Sequence, residues 1–333
     1  MAKKSKKKNN QHQRAYFAAE YASQIMNFYG VDREMSYAEL ESIIRAPRIF
    51  SLLGNDPVRA TNVERSLFAI MKWRTTKQAY RFNPVFLEEL SANVSLNFPF
   101  SAWHLPFSSY YVELLNWNKK IDDEPIYGAY FYFGPADHNG TEDILLTITI
   151  VTEAVNQRPN LFRMINFSIF LSGDEQLTVH DAISQISDYG EIHEDSKTLV
   201  SDSTHLAETL CMIASYISSS EPDIKKREKW IGATRIQNGK TIRSTVQLWD
   251  VGYRFYKDCI KKSVNKTVSQ QKMSVRVSPR AHIRKGHFHL YWCGKGRKEP
   301  RIRWIRETMI GKYMGDLPTV VRQDFQEKLA RQS

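Results

Sequence analysis

The sequence predicts an α+β fold: N-terminal helices, a central antiparallel sheet, further helices and a C-terminal basic β-hairpin. Three patterns predict it. Apolar residues recur at helical spacing in two regions, alternate with polar residues between them, and alternate with cations and histidines near the C-terminus. Hydrophobic residues make up 42% of the 333 residues, so the chain can bury a large core.

The N-terminal part is expected to be helical over residues 15–97. Residues 1–14 carry a charge of +6 and offer little to bury, so they are predicted to form a disordered basic tail. Two capping boxes and one cap followed by proline mark helix starts: Ser36-x-x-Glu39, Thr61-x-x-Glu64 and Asn83-Pro84.

Residues 98–175 predict an antiparallel sheet with one covered face, because polar residues alternate with Ile and Phe. The predicted turn between its second and third strands is Asp137-His138-Asn139-Gly140. The candidate strands are residues 110–115, 126–133, 144–152 and 164–172.

Residues 176–262 predict helices again. Thr178-x-x-Asp181 caps the first, and a longer one over 201–217 is ended by Pro222, after which Asp223 is expected to cap the next turn. Residues 231–245 are polar and are interpreted as a turn or exposed loop, and a helix is predicted from about 253 to 262. Residues 263–333 then form the basic hairpin region, and 15–333 are compatible with one compact unit.

The hairpin is predicted from period-two alternation on either side of a Gly- and Pro-containing turn. Within residues 276–306 there are ten Lys or Arg and one acid, a local charge of +9, so the rest of the chain beyond the tail is slightly acidic. The polar face is predicted to hold His287, His289, Tyr291, Arg301 and Arg303, and the apolar face Phe288, Leu290, Trp292, Ile302 and Trp304.

Cations crowded on one face favour an anionic partner, because like charges across a hairpin repel. A phosphate backbone, with aromatic rings for base stacking, fits this pattern. The alternative is that the Arg and Lys side chains solvate a sheet edge or pair with acids elsewhere in the chain. The candidate nucleic-acid contacts are Arg280, His282, Arg284, Lys285, His287, His289, Tyr291, Trp292, Arg297, Arg301, Arg303 and Trp304.

The histidines of the hairpin suggest a second kind of chemistry, RNA cleavage. His287 and His289 could act as base and acid in metal-independent RNA cleavage, but no catalytic residue is assigned. No metal or cofactor is expected, because the histidines lack carboxylate companions and the three cysteines lack metal-site spacing.

No long apolar run or signal peptide is found, which predicts a cytoplasmic protein without membrane contact.

The C-terminal pattern resembles that of a type V-A anti-CRISPR family carried by phages and mobile elements. The matching residues are Arg280-x-His282-x-Arg284-Lys285-Gly286-His287-Phe288-His289-x-Tyr291-Trp292-x-Gly294-x-Gly296, then Arg301-x-Arg303-Trp304, with Glu221-Pro222-Asp223-Ile224 and Trp249-x-x-Gly252-x-Arg254 upstream. The chain departs from the family pattern at Ala281 and Phe288, where proline and tryptophan are expected.

The resemblance implies a host-defence evasion protein of the bacterial cytoplasm. Its partners would be the nascent N-terminal peptide of a CRISPR effector nuclease and the translating ribosome or mRNA, with loss of the effector's mRNA and protein. The peptide-binding residues are unknown from sequence. An RNase and a DNA-binding regulator with the hairpin as a β-ribbon remain the alternatives.

Overall fold

A mixed sheet forms the centre of the fold, with helices on both of its faces. In this computed structural model, the described residues are 18–19, 21–114, 117, 119–121, 124–135, 144–152, 164–171, 177–189, 197–227, 231–237, 240–254, 282–306 and 308–310. The architecture is α+β, as predicted. The tail at 1–14 that was predicted to be disordered, Arg280, the predicted turn at 137–140 and the predicted helix beyond residue 254 lie outside the described residues.

The helices begin close to the signals in the sequence. Both capping hydrogen bonds of the Ser36–Glu39 box are present, and the Asn83 side chain caps the helix that starts at Pro84. The described helices are α1 (including residues 21–29), α2 (Tyr37–Ile44), α3 (Pro47–Leu52), α4 (Pro57–Thr76), α5 (Pro84–Ala92), α6 (Val179–Tyr189) and α7 (Lys197–Ser218).

One predicted helix start is wrong. Thr61 lies inside α4, and Asp56 is the N-cap, accepting hydrogen bonds from the backbone N–H groups of Val58 and Arg59. The Asp56-Pro57 pair wins because proline at the first helical position pre-sets the backbone, and the Thr61 hydroxyl instead donates to the Pro57 carbonyl.

The strands of the described residues form one nine-stranded sheet and two separate strand pairs. The main sheet runs β6-β5-β4-β2-β1-β9-β7, with β3 on β4 and β8 on β9. The strands are β1 (Gln78–Phe82), β2 (Ser109–Glu113), β3 (Lys120–Ile121), β4 (Glu124–Pro135), β5 (Ile144–Thr152), β6 (Met164–Leu171), β7 (Ile224–Lys226), β8 (Ile231–Gln237), β9 (Lys240–Val251), β10 (His282–Arg284), β11 (His287–Cys293), β12 (Glu299–Ile305) and β13 (Thr308–Ile310).

The sheet is larger than the predicted antiparallel one. The run β2-β4-β5-β6 is antiparallel as expected, but β1 pairs in parallel with both β2 and β9. The interpretation of 231–245 as a loop is wrong, because β8 and β9 form an antiparallel pair there with Gln237 opposite Lys240. The polar residues of this segment lack the apolar alternation from which strands are predicted. Backbone pairing with the neighbouring strand overrides their weak intrinsic preference for β structure.

Both faces of the sheet are covered, rather than one. Alternate residues of β2 enter different cores: Tyr110 belongs to a cluster with α5, α6 and α7, whereas Tyr111 belongs to a cluster with α1, α2 and α4. Thr147 and Thr149 are therefore buried together with the apolar residues of β5. Among the helices that the structure describes, none is long and apolar enough to span a membrane.

Candidate nucleic-acid interface

The basic hairpin predicted near the C-terminus is present. Strands β11 and β12 pair antiparallel, with His289 opposite Arg303 and Tyr291 opposite Arg301. The turn between them uses left-handed backbone at Gly294, Gly296 and Arg297, and the Arg297 N–H donates to the Gly294 carbonyl at 3.1 Å. Glycine tolerates this backbone without steric cost, which explains the Gly-x-Gly spacing.

The apolar face of the hairpin packs on the protein body. The Phe288 ring lies 5.5 Å from that of Phe98, and the Trp304 ring lies 6.4 Å from that of Phe86, centroid to centroid. Ile302, two residues along β12 from Trp304, is fully buried. Aromatic burial of this kind anchors the hairpin firmly in one orientation.

Trp292 departs from that pattern. Alternation places it on the same face as Phe288, yet its side chain remains 53% exposed, whereas Phe288 is 8% exposed. It lies at the turn end of the hairpin, opposite Pro300. The anchored face thus continues into an uncovered indole ring.

A second strand pair flanks the hairpin in the sequence: β10 precedes it and β13 follows it. These two strands run antiparallel, with His282 opposite Ile310 and Arg284 opposite Thr308. Strand β13 was not predicted, because it has only three residues and no turn signal of its own. The pair draws together the chain segments that enter and leave the hairpin.

Acids from the same chain pair with several cations of the hairpin region. Arg303 lies 2.8 Å from Glu221 and Arg306 lies 3.4 Å from Asp223, both acids coming from the loop after α7. Arg301 lies 3.7 Å from Glu299 on its own strand. The alternative left open by the sequence, intramolecular pairing, therefore applies to these three arginines.

The loop at 219–223 also holds the hairpin through hydrogen bonds. The Ser220 N–H donates to the Ile302 carbonyl at 2.8 Å, and the Tyr291 hydroxyl donates to the Ser220 hydroxyl. Glu221 in this loop adopts a left-handed backbone, with φ of 57°, which is uncommon outside glycine.

Asp223 is the centre of the junction, the set of contacts that joins the loop at 219–223 to the hairpin and to residues 252–254. Its carboxylate accepts the Arg254 N–H at 2.7 Å and lies 3.4 Å from the guanidinium groups of both Arg254 and Arg306. Its own N–H donates to the Tyr216 hydroxyl at 2.8 Å. Burial raises the pKa of Tyr216 to about 12, so this hydroxyl stays neutral and accepts.

The junction explains two motifs that the sequence presented as separate. Glu221-Pro222-Asp223 and Trp249-x-x-Gly252-x-Arg254 meet here, since the Gly252 N–H donates to the Asp223 carbonyl at 2.8 Å. Gly252 has φ of +73°, and a Cβ there would lie 2.8 Å from the Phe86 ring. The expectation that Asp223 caps the turn after it is wrong, because β7 follows and the carboxylate accepts from Arg254, distant in sequence.

His287 is held by two hydrogen bonds. An Arg284 guanidinium nitrogen lies 2.9 Å from its Nε2, and its Nδ1 lies 3.0 Å from the Lys285 carbonyl. Because a guanidinium only donates and a carbonyl only accepts, Nε2 is the acceptor and Nδ1 carries the proton. Neither nitrogen of His287 is therefore available for proton transfer in this arrangement, whereas His289 is exposed on the outer face.

The structure divides the predicted contact residues into three sets. Trp304 anchors the hairpin together with Phe288, which was not a predicted contact; Arg301, Arg303, Tyr291 and His287 contact the chain itself; Arg284, Lys285, His289, Trp292 and Arg297 remain on the surface, fully or in large part exposed. His282 lies in β10. Lys295 and Lys298 also extend the exposed basic surface, although they were not among the predicted contacts. Within the described residues, no group of His, Cys, Asp and Glu could hold a metal ion.

Comparison with known proteins identifies the family. The model of the AcrVA2-like, anti-CRISPR type V subtype A2 family matches residues 80–312, which span β1 to β13 and include the hairpin. The crystal structure of AcrVA2 covers 93% of this chain and 99% of its own, with 17% identity and a TM-score of 0.50, and so shows a similar fold. A comparison with curated proteins finds no match. The chain therefore belongs to the anti-CRISPR type V subtype A2 family and is an anti-CRISPR protein.

Proposed function

We propose that the chain lowers production of a type V-A effector nuclease by recognising its N-terminal peptide as it emerges from the ribosome. The effector's mRNA is then lost together with the protein. Family membership over residues 80–312 is the observation that carries this proposal. No element of the chain is assigned to the peptide.

In this proposal the hairpin contacts RNA, either the message or the ribosome. Five exposed cations support it, because they have no carboxylate partner among the described residues: Arg284, Lys285, Lys295, Arg297 and Lys298. The junction at Asp223 holds the hairpin in a fixed orientation, so the hairpin backbone does not have to be ordered on binding.

The decisive experiment separates peptide from message. The effector gene and the protein are expressed together in bacteria. Three forms of the effector gene are compared: the unchanged gene, a gene synonymously recoded over its first codons, and a gene whose reading frame is shifted over the same codons by a compensating insertion and deletion of single nucleotides. If the peptide is recognised, mRNA and protein fall for the first two forms and persist for the third. Loss that follows the nucleotide sequence instead would contradict peptide recognition.

Translation dependence is measured separately. The tagged protein is recovered from translating cells, and the RNA and peptides that accompany it are sequenced before and after puromycin treatment. Recovery of effector mRNA and ribosomes that puromycin abolishes agrees with the proposal. RNA that remains bound after puromycin points to recognition of RNA itself.

The alternative of an RNase using two histidines is less favoured by the geometry of His287, whose ring nitrogens are both occupied. His287→Ala combined with His289→Ala tests it. The proposal expects effector mRNA to fall in cells with this double variant as with the unchanged protein. If the double variant is folded and the effector mRNA is completely protected, the RNase alternative would be favoured instead.

A further inference from the structure

We infer that the nucleic-acid contact is made by the turn end of the hairpin, residues 292–298, and that its ligand is single-stranded RNA. The arginines on the outer strand face would then hold the hairpin in place instead. The inference rests on the proposed function, and it specifies the surface and the strand state of the RNA.

The outer face is the polar face of the hairpin, which includes Arg301 and Arg303, and these two positive charges are already paired with carboxylates. Arg303 is paired with Glu221 at 2.8 Å and Arg301 lies 3.7 Å from Glu299. A phosphate arriving at this face would have to displace a carboxylate, so the gain from each new contact is offset by the loss of an existing one.

The turn end is different. Residues 292–298 contain Lys295, Arg297 and Lys298 and no acid. All three are exposed. The adjacent Glu299 carboxylate pairs with Arg301 at 3.7 Å, and among the described residues no ion pair joins it to Lys295, Arg297 or Lys298. Three cations on one closed turn repel one another, and a strand of phosphates relieves that repulsion.

Trp292 indicates which kind of strand fits. Its indole is 53% exposed beside these cations, although it continues a face on which Phe288 and Trp304 are each only 8% exposed. An exposed aromatic ring next to phosphate-binding cations suits an unpaired base, since every base offers a π-face for stacking. In a duplex those faces are covered by neighbouring base pairs, which favours a single strand over double-stranded RNA or DNA.

The test uses the full-length protein and a fluorescein-labelled oligouridine, with an RNA duplex of equal length as competitor. Affinity is measured by fluorescence anisotropy between about 50 and about 200 mM salt. Trp292→Leu should lower affinity about tenfold, within the range for loss of one stacked base. Lys295→Glu with Lys298→Glu should also reduce the slope of log affinity against log salt by about 1.4, or ~0.7 per phosphate contact.

Two controls give the experiment its contrast. Arg48→Glu with Arg59→Glu makes the same net charge change on exposed residues of α3 and α4, and should leave the salt slope unchanged. Arg303→Gln removes a cation of the outer face and should change affinity less than twofold. A single cooperative transition in urea unfolding establishes that each variant is folded.

Several results would overturn the inference. They are equal affinity for the duplex, no effect of Trp292→Leu, a larger effect of Arg303→Gln than of the turn-end variants, absence of oligouridine binding at low salt, or self-association of the protein through Trp292. The cell assay for effector mRNA separates these failures from failure of the proposed function. If turn-end variants still deplete the message, the surface is wrong while the function stands.

Discussion

Replacing Asp223 tests whether the junction holds the hairpin on the body. The side chain is buried, accepts one backbone hydrogen bond at 2.7 Å and faces two guanidinium groups at 3.4 Å. Asp223→Ala removes the acceptor and leaves the Arg254 N–H without this partner, whereas Asp223→Asn keeps an acceptor of similar shape and removes only the charge.

The size of the effect follows from burial. Breaking a fully buried ion pair costs about 3–5 kcal/mol, but the Arg306 side chain is 37% exposed and can turn to water, so the upper part of that range does not apply. A hydrogen bond to a charged group contributes about 1.5–3 kcal/mol. We therefore expect Asp223→Ala to lower the free energy of unfolding by about 2–3 kcal/mol, and Asp223→Asn by about half as much.

Urea unfolding followed by tryptophan fluorescence measures the loss. Glu221→Gln is the matched control, because the Glu221–Arg303 pair is exposed on both sides and should contribute less than about 1 kcal/mol. A change below about 0.5 kcal/mol for Asp223→Ala, or an equal loss for Glu221→Gln, would refute the view that buried contacts of Asp223 secure the hairpin.

Three further perturbations follow from packing and from the helix caps. Gly128→Ala should destabilise the fold by at least about 1–3 kcal/mol in urea unfolding, because the added Cβ would lie 2.1 Å from the Tyr111 hydroxyl; unchanged stability would contradict this close packing. Phe288→Ala should cost about 3 kcal/mol and expose the hairpin to limited proteolysis, unless the hairpin is held without its aromatic anchor. The backbone and side chain of Ser36 hydrogen-bond Glu39 and lower its pKa below the ordinary 4.5. The stability that the Glu39 carboxylate adds is thus present above pH 4.5 and lost as pH falls through the lowered value, so Glu39→Gln should differ from the unchanged protein in thermal melts at pH 7 and match it in strong acid.

Local patterns in the sequence were sufficient for much of the fold. Caps such as Ser36-x-x-Glu39 act within one helical turn, so the start of α2 is determined by residues close together in the sequence. The alternation over 287–305 likewise predicts the hairpin and its two faces, because a strand's side chains point to opposite sides in turn. Most of these residues also belong to the pattern that resembles the anti-CRISPR family, and the family comparison confirmed that the chain is a member.

What the sequence could not decide depends on contacts between distant segments. The parallel pairing of β1 with β9 joins residues about 170 positions apart, as between Tyr80 and Trp249, and no local pattern encodes such a partner. Likewise, ten cations near the C-terminus fix a local charge, but only the fold decides which of them meet acids. The loop after α7 brings Glu221 to Arg303 and Asp223 to Arg306, and leaves the turn end with its positive charge and its exposed tryptophan. Charge is a property of composition, whereas its compensation is a property of three-dimensional proximity.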